Sequence, residues 1–128
     1  YGEVGVIAIY TDRLIKGEPL IIFGDGKHQR DYIYVHDVVE FTVRSMLFRE
    51  SSVYNVGRGC PVSVNEVFAE FQANNLQHNQ ATYKPERYGE IGNFYSNIDH
   101  ALSTGWRPKV TLKSGIKETI DYFKKSLL

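Results

Sequence analysis

The chain has 128 residues, with 15 lysines and arginines against 15 aspartates and glutamates. The balance holds in each half: 7 basic and 8 acidic side chains in residues 1–64, then 8 and 7 in residues 65–128. A protein that grips nucleic acid by neutralising phosphates needs a basic excess, so that class is excluded, and any charged ligand must be met by a few placed residues.

Residues 6–16 put Val6, Ile7, Tyr10 and Leu14 on one face at helical spacing, and Gly17 with Pro19 beyond it stops the helix. Residues 19–23 form a short, continuous apolar run closed by Gly24-Asp25-Gly26, the pattern of a buried strand entering a tight turn. A second strand is expected over 31–35, where Tyr32, Ile33 and Tyr34 supply aromatic and β-branched weight. Asp37 and Glu40 then resemble a capping box, with Asp in place of Ser or Thr. The helix they open is expected to reach about Phe48 with Val39, Val43, Met46 and Leu47 turned inward.

Residues 52–57 read as the next strand, ended by Gly57-Arg58-Gly59. Ser63 and Glu66 form a better capping box ahead of a helix carrying Val67, Phe68 and Phe71. The polar stretch 74–80 reads as a loop, 82–84 as a short edge strand stopped by Pro85, and 98–102 as a short helix ending near Gly105. The last helix starts after Thr111, with Leu112, Ile116, Ile120, Phe123 and Leu127 on one side and Lys124 and Lys125 near its end, where the macrodipole favours cations. No repeat, linker or low-complexity segment interrupts the pattern. The reading is one domain, residues 1–128, of α/β class with α+β character in isolation, built from short strands and about five helices.

With 42% hydrophobic residues the composition suits a globular core, and the one cysteine, Cys60, excludes an internal disulfide framework and a cysteine-based zinc site. Neither a signal-like segment nor an apolar run of membrane-spanning length is present, so a cytoplasmic location and no membrane partner are expected. The chain begins at Tyr1, inside what reads as a loop leading into a helix, which suggests a fragment of a longer protein.

Chemistry-bearing patterns are few. The four histidines, His28, His36, His78 and His100, lack metal-ligand spacing, and no P-loop, G-x-S-x-G elbow or G-x-G-x-x-G fingerprint occurs. Cys60 beside Pro61 has no histidine or aspartate tied to it in sequence, so it reads as a small residue in a turn. Arg30 lies at the entrance of a strand and Arg87 in a loop before Gly89 and Glu90, and neither has an acidic residue at helical spacing. Guanidinium groups presented from turns suit bidentate capture of phosphate oxygens; ordinary surface or ion-paired arginines are the competing reading. Tyr32, Tyr34 and Tyr54 are candidates to line a sugar pocket, against the simpler reading that strand aromatics are core.

The strings themselves carry a resemblance. GVIAIYTDRLIKGEPLIIFGDGKHQRDYIYVHDVV, VYNVGRGCPVSVNEV, ERYGEI, SNIDHA and GWRPKVTL, in this order, resemble the extended short-chain dehydrogenase/reductase family, particularly nucleotide-sugar epimerases of the UDP-glucose 4-epimerase type. The family's glycine-rich NAD fingerprint, its Tyr-x-x-x-Lys pair and its upstream serine or threonine have no counterpart here. The resemblance therefore implies the C-terminal, substrate-binding portion of such a protein, with the NAD-binding Rossmann half absent. It implies no catalytic, cofactor or metal residue in this chain, with NAD belonging to the full-length enzyme. The partner implied is a nucleotide-sugar, UDP- or dTDP-linked.

Carried over onto matching positions, the backbone at Ile21 and Phe23 would meet the base edge. Arg30 and Arg87 would meet the diphosphate from opposite sides, Glu90 the ribose hydroxyls, and Gly5, at the start of the first helix, phosphate or uridine. Departures are Asn97 where the family usually has aspartate, Cys60 at a variable turn position, and His28-Gln29 in place of Gln-Thr. In such enzymes NAD oxidises the sugar at C4 and hydride returns on the opposite face, while this portion grips the nucleotide. The rival expectation is a free-standing, non-catalytic ligand-binding or interaction module derived from the same domain. An in-frame Rossmann segment with Tyr-x-x-x-Lys upstream of Tyr1 would separate the two.

The resemblance also implies that an absent Rossmann half leaves the 53–56 strand edge unpaired, so self-association is expected. The 128-residue chain is expected to neither turn over UDP-galactose nor bind NAD. A coupled assay with added NAD should stay at background, and turnover that survives repurification would overturn this.

Overall fold

The computed structural model describes residues 5–74, 81–89 and 92–126. Five helices and four short strands occur among them. Helix α1 (Val6–Lys16) ends where Gly17 takes φ 69°, with Gly17 N–H donating to Leu14 and Glu18 N–H to Arg13, a paired closure that a glycine in the left-handed region permits. α3 (Val64–Ala73) begins on the expected capping box: Ser63 Oγ accepts from Glu66 N–H at 3.2 Å and the Glu66 carboxylate accepts from Ser63 N–H at 2.8 Å. The Ser63 hydroxyl, donating to the Glu66 carboxylate at 2.7 Å, and the Ser63 N–H together hold the Glu66 carboxyl below its usual range.

Helices α1, α3 and α5 (Leu112–Ser126) pack on one another around Tyr10, Leu14, Val67, Phe71, Ile116 and Ile120. Phe71 meets Tyr10 edge-on, with ring centroids 5.5 Å apart. The Tyr10 hydroxyl leaves this core to donate to the carbonyl of Ile21 at 2.9 Å, which fastens α1 to β1 (Ile21–Phe23). Burial, followed by the neighbouring Tyr32 and Tyr83, pushes the Tyr10 phenol up to about 12.

β1 pairs in parallel with β4 (Thr82–Lys84), in the register Ile21 with Thr82, Ile22 with Tyr83 and Phe23 with Lys84. β2 (Gln29–Arg30) pairs antiparallel with β3 (Val62–Ser63). A second, smaller apolar cluster joins α2 (Val35–Ser45) to α4 (Asp99–Ser103) and the segment after it, through Phe41, Ala101 and Trp106. Tyr54 and Phe48 add their rings to Phe41.

Two carboxylates six residues apart fasten the irregular parts. Asp31 accepts from the main-chain N–H groups of Arg58 at 2.8 Å, Gly59 at 3.1 Å and Ser96 at 3.3 Å. Gly57 lies against the same carboxylate so closely that a Cβ there would collide with it. Asp37, 2% exposed, accepts from Lys109 N–H at 3.1 Å and Val110 N–H at 3.0 Å.

These carboxylates account for several departures from the sequence reading. The strand expected over 31–35 is instead the two-residue β2, because Asp31 is committed to remote main-chain donors and residues 31–34 run on without ladder pairing into α2. The Asp37–Glu40 capping box does not form: Tyr34 is the N-cap without a side-chain cap, Asp37 holds residues 109 and 110, and Glu40 pairs with Lys109 Nζ at 2.8 Å. The face of α2 is reversed, with Phe41 inward and Val39, Val43, Met46 and Leu47 exposed at 52, 59, 79 and 84%. Residues 52–57 form no ladder among the described residues, and Val53 is 87% exposed. Of the residues expected along the last helix, Leu127 lies outside the described residues.

Replacing Asp37 by alanine removes two hydrogen bonds to a charged acceptor and leaves two part-buried N–H groups without it. Asp37→Ala should therefore lower the urea unfolding free energy by about 3 kcal/mol or more. A loss under 1 kcal/mol would show that the 109–110 segment is held by other contacts.

Candidate functional site

The short parallel ladder decides which main-chain groups are available. Thr82 N–H donates to Leu20 at 2.9 Å and Gly24 N–H donates to Lys84 at 2.9 Å, so the even-numbered residues of this stretch turn their peptide groups towards β4. Ile21 and Phe23 turn theirs to the opposite edge, where the Tyr10 hydroxyl takes the Ile21 carbonyl. That edge carries no strand among the described residues. It offers alternating donors and acceptors suited to a planar ligand with a hydrogen-bonding rim.

Beyond β1 the chain turns through Gly24 and Gly26, both at positive φ. The loop after β4 lies over this turn: a Cβ built on Gly24 would touch Glu86 Cβ at 3.5 Å, and Glu86 Oε1 is 3.0 Å from His28 Nε2. Arg87 follows, its guanidinium carbon 3.8 Å from the centroid of the Phe23 ring. The contact is a cation–π contact, with the guanidinium carbon over the ring.

Arg30, half-buried in β2, donates from one guanidinium nitrogen to the carbonyls of Gln29 at 2.8 Å and Gly92 at 3.1 Å. The strip after Gly92 runs beside β2, with Gln29 N–H donating to Gly92 and Phe94 N–H to Gln29, each at 3.0 Å. Phe23 and Arg87 are thus in contact at the end of β1, and Arg30 is tied to the neighbouring segment. Gly5 is the N-cap of α1, its carbonyl accepting from Ala8 and Ile9, with no side chain to add. Glu90 lies outside the described residues.

The three tyrosines divide. Tyr32 and Tyr34 line a cavity of about 100 Å³ with Ile7, Val110, Leu112 and Thr119. Gly115 keeps this cavity open beside Tyr34, since a Cβ there would stand 3.2 Å from the Tyr34 ring. Burial and a hydrogen bond to Glu118 raise the Tyr34 phenol above its usual value. Tyr54 is elsewhere, packed on Phe41 and His100.

No group of three or more His, Cys, Asp or Glu side chains that could hold a metal occurs among the described residues. The Gly57-Arg58-Gly59 turn is no pyrophosphate cradle, because the N–H groups of Arg58 and Gly59 are already taken by Asp31. Asn97, two residues ahead of α4, accepts from Asp99 N–H at 2.9 Å through its side-chain oxygen. Sequence reasoning missed the Phe23–Arg87 stack, whose partners are 64 positions apart, and the anchoring roles of Asp31 and Asp37. The nearest signal was the presence of two aspartates bracketing an aromatic run.

The sequence pattern of the NAD dependent epimerase/dehydratase family matches residues 2–57. A UDP-glucose 4-epimerase of Mycolicibacterium smegmatis is 33% identical over 128 aligned residues, spanning 97% of this chain and 40% of that protein. A provisionally named UDP-glucose 4-epimerase of Methanocaldococcus jannaschii is 37% identical over 98% of this chain and 41% of its own length. Among solved structures, the UDP-glucose 4-epimerase of Thermotoga maritima with UDP-glucose superposes with a TM-score of 0.91 at 40% identity, covering 100% of this chain and 42% of that one. The chain thus spans about two fifths of the length of the relatives it matches. No helix among the described residues is long and apolar enough to cross a membrane. With matches running through nearly all its residues, and onto the C-terminal portion of each relative, the chain belongs to the NAD dependent epimerase/dehydratase family, among the extended short-chain dehydrogenases/reductases of nucleotide-sugar epimerase type.

Proposed function

We propose that this chain is the nucleotide-sugar-binding domain of an NAD-dependent epimerase of the UDP-glucose 4-epimerase type, and that its own residues grip the nucleoside diphosphate without performing the chemistry. The observation that carries the reading is the main-chain edge at Ile21 and Phe23, which no strand pairs among the described residues and which ends beside a stacked arginine. A nucleobase has a planar hydrogen-bonding rim and a diphosphate has paired anionic oxygens, so an alternating peptide edge beside guanidinium groups complements both halves of such a ligand. The likeness to a Thermotoga maritima epimerase solved with UDP-glucose supports the same assignment. Ile21 and Phe23 would meet the base through the main chain, Arg30 and Arg87 the diphosphate, Glu90 the ribose, and Gly5 would contribute only through the N-terminus of α1.

Binding energy from the unreacting diphosphate would hold the sugar in register for chemistry at C4. Hydride transfer is assigned to the NAD-binding part of the full-length enzyme, not to residues of this chain. UDP-sugars are the favoured ligands, and dTDP-sugars the alternative.

Charge-assisted hydrogen bonds contribute about 1.5 to 3 kcal/mol each, so Arg30→Ala and Arg87→Ala should each weaken UDP binding about ten-fold or more. Calorimetric titration of UDP into the chain and its variants checks this. Undiminished affinity in both variants would show that the diphosphate is held elsewhere.

The stripe of Val35, Val39, Val43, Met46 and Leu47 on and after α2, with Val53 beside the unladdered 52–57 segment, is proposed as the surface that meets the NAD-binding half within the same protein. Such a run exceeds the scattered apolar residues of an ordinary surface, which disfavours a free-standing module. The isolated chain should then self-associate through this face. Light scattering over a concentration series should give a mass rising above the monomer, and Val43→Lys should suppress the rise; a strictly monomeric mass at high concentration would refute it.

A further inference from the structure

We infer that Phe23 is a positioning residue for Arg87: its ring holds the guanidinium at the end of β1, ready for a diphosphate, so that Phe23 contributes to phosphate affinity through its side chain without touching the phosphate. The inference rests on the reading of this site given above and assigns a role to a side chain that the base-edge assignment, which uses only the Phe23 main chain, leaves without one.

The fold brings the two residues together by rigid steps. Phe23 is the last residue of β1 and pairs in register with Lys84, the last residue of β4. Pro85 then ends the ladder, since it has no N–H to give, and the His28–Glu86 contact at 3.0 Å fixes the chain one residue before Arg87. Gly24, at φ 66°, leaves room beneath Glu86. The arginine therefore emerges directly above the Phe23 ring, 3.8 Å from its centroid.

The stack suits a phosphate ligand for a geometric reason. A guanidinium group meets an aromatic ring with its flat face, whereas its five N–H bonds lie in its plane and point outward. A guanidinium that rests on a ring meets a ligand through its in-plane edges, the orientation in which a forked donor meets two phosphate oxygens. Arg87 is exposed, and a long side chain in that setting samples many rotamers and gives up that freedom on binding. A ring that already confines it reduces the loss.

The test compares ligands with and without phosphate. UDP and uridine are titrated calorimetrically into the chain and into Phe23→Leu, Phe23→Tyr, Arg87→Ala and the Phe23→Leu/Arg87→Ala double variant. A cation–π contact at an exposed site corresponds to about a two- to five-fold effect. Phe23→Leu should therefore weaken UDP by about that factor while leaving uridine unchanged. Phe23→Tyr should restore UDP affinity, and Phe23→Leu should cost nothing further once Arg87 is alanine. Equal weakening of UDP and uridine would mean that Phe23 stacks on the base, and additive losses in the double variant would mean that it acts independently of Arg87; either result overturns the inference. If Arg87→Ala leaves UDP affinity intact, or if UDP does not bind, the diphosphate reading of the site fails and the inference with it.

A ligand-free readout stands beside the titration. The Arg87 δ protons should show ring-current upfield shifts in the NMR spectrum that vanish in Phe23→Leu. Their absence in the parent chain would overturn the inference whatever the ligands do.

Discussion

The carboxylates of Asp31 and Asp37 hold the parts of this molecule that helices and ladders do not. Between them they accept five main-chain N–H groups, from residues 58, 59 and 96 and from residues 109 and 110. A buried carboxylate is stable only when its oxygens are satisfied, and main-chain donors satisfy them without the side-chain entropy that a lysine or arginine would lose. The dependence is mutual. The connections at 57–59 and 108–111 have no sheet to join, so their peptide groups need acceptors as much as the carboxylates need donors. With only ten residues in four strands, such ties take the place that a larger sheet occupies in other α/β proteins.

The candidate site depends on this arrangement at one remove. The trio of α1, α3 and α5 buries Tyr10, Tyr10 fixes the Ile21 carbonyl, and the β1–β4 pairing sets Phe23 beneath Arg87. β2 in turn presents Arg30 from a strand whose next residue is Asp31. The two arginines are therefore carried by different anchors, one by a ladder and a stack, the other by a ladder and a carboxylate tie.

Much of this was legible in the sequence wherever the signal is local. Gly17 after an amphipathic run, the Ser63–Glu66 box and Pro85 after the short run 82–84 each act within a few residues, and α1, α3 and β4 formed where they implied. The failures share one cause. The period of α2 identifies an apolar stripe but not whether the chain itself covers it, and here Phe41 on the other face is the buried residue. Asp37 has the right offset from Glu40 for a cap, yet residues 109 and 110 compete for it and win. At the site, Arg30 and Arg87 could be chosen by residue type and setting, but the contact between Arg87 and Phe23 exists only because two distant strands run in parallel.

The parallel pairing of β1 has one more consequence. Which peptide groups face the open edge is a matter of parity: odd positions look outward because even ones are engaged by β4. Side chains at 21 and 22 can drift over generations without altering that pattern, provided the strand persists. Loss or gain of a single residue in the short connection from Gly17 to Leu20 is different in kind, for if the helix keeps its place the whole strand slides by one and every outward donor becomes an inward one. The edge should thus be lenient towards spelling changes and intolerant of frame changes in its approach, so that the length of a four-residue connection is inherited more strictly than the letters of the strand it feeds.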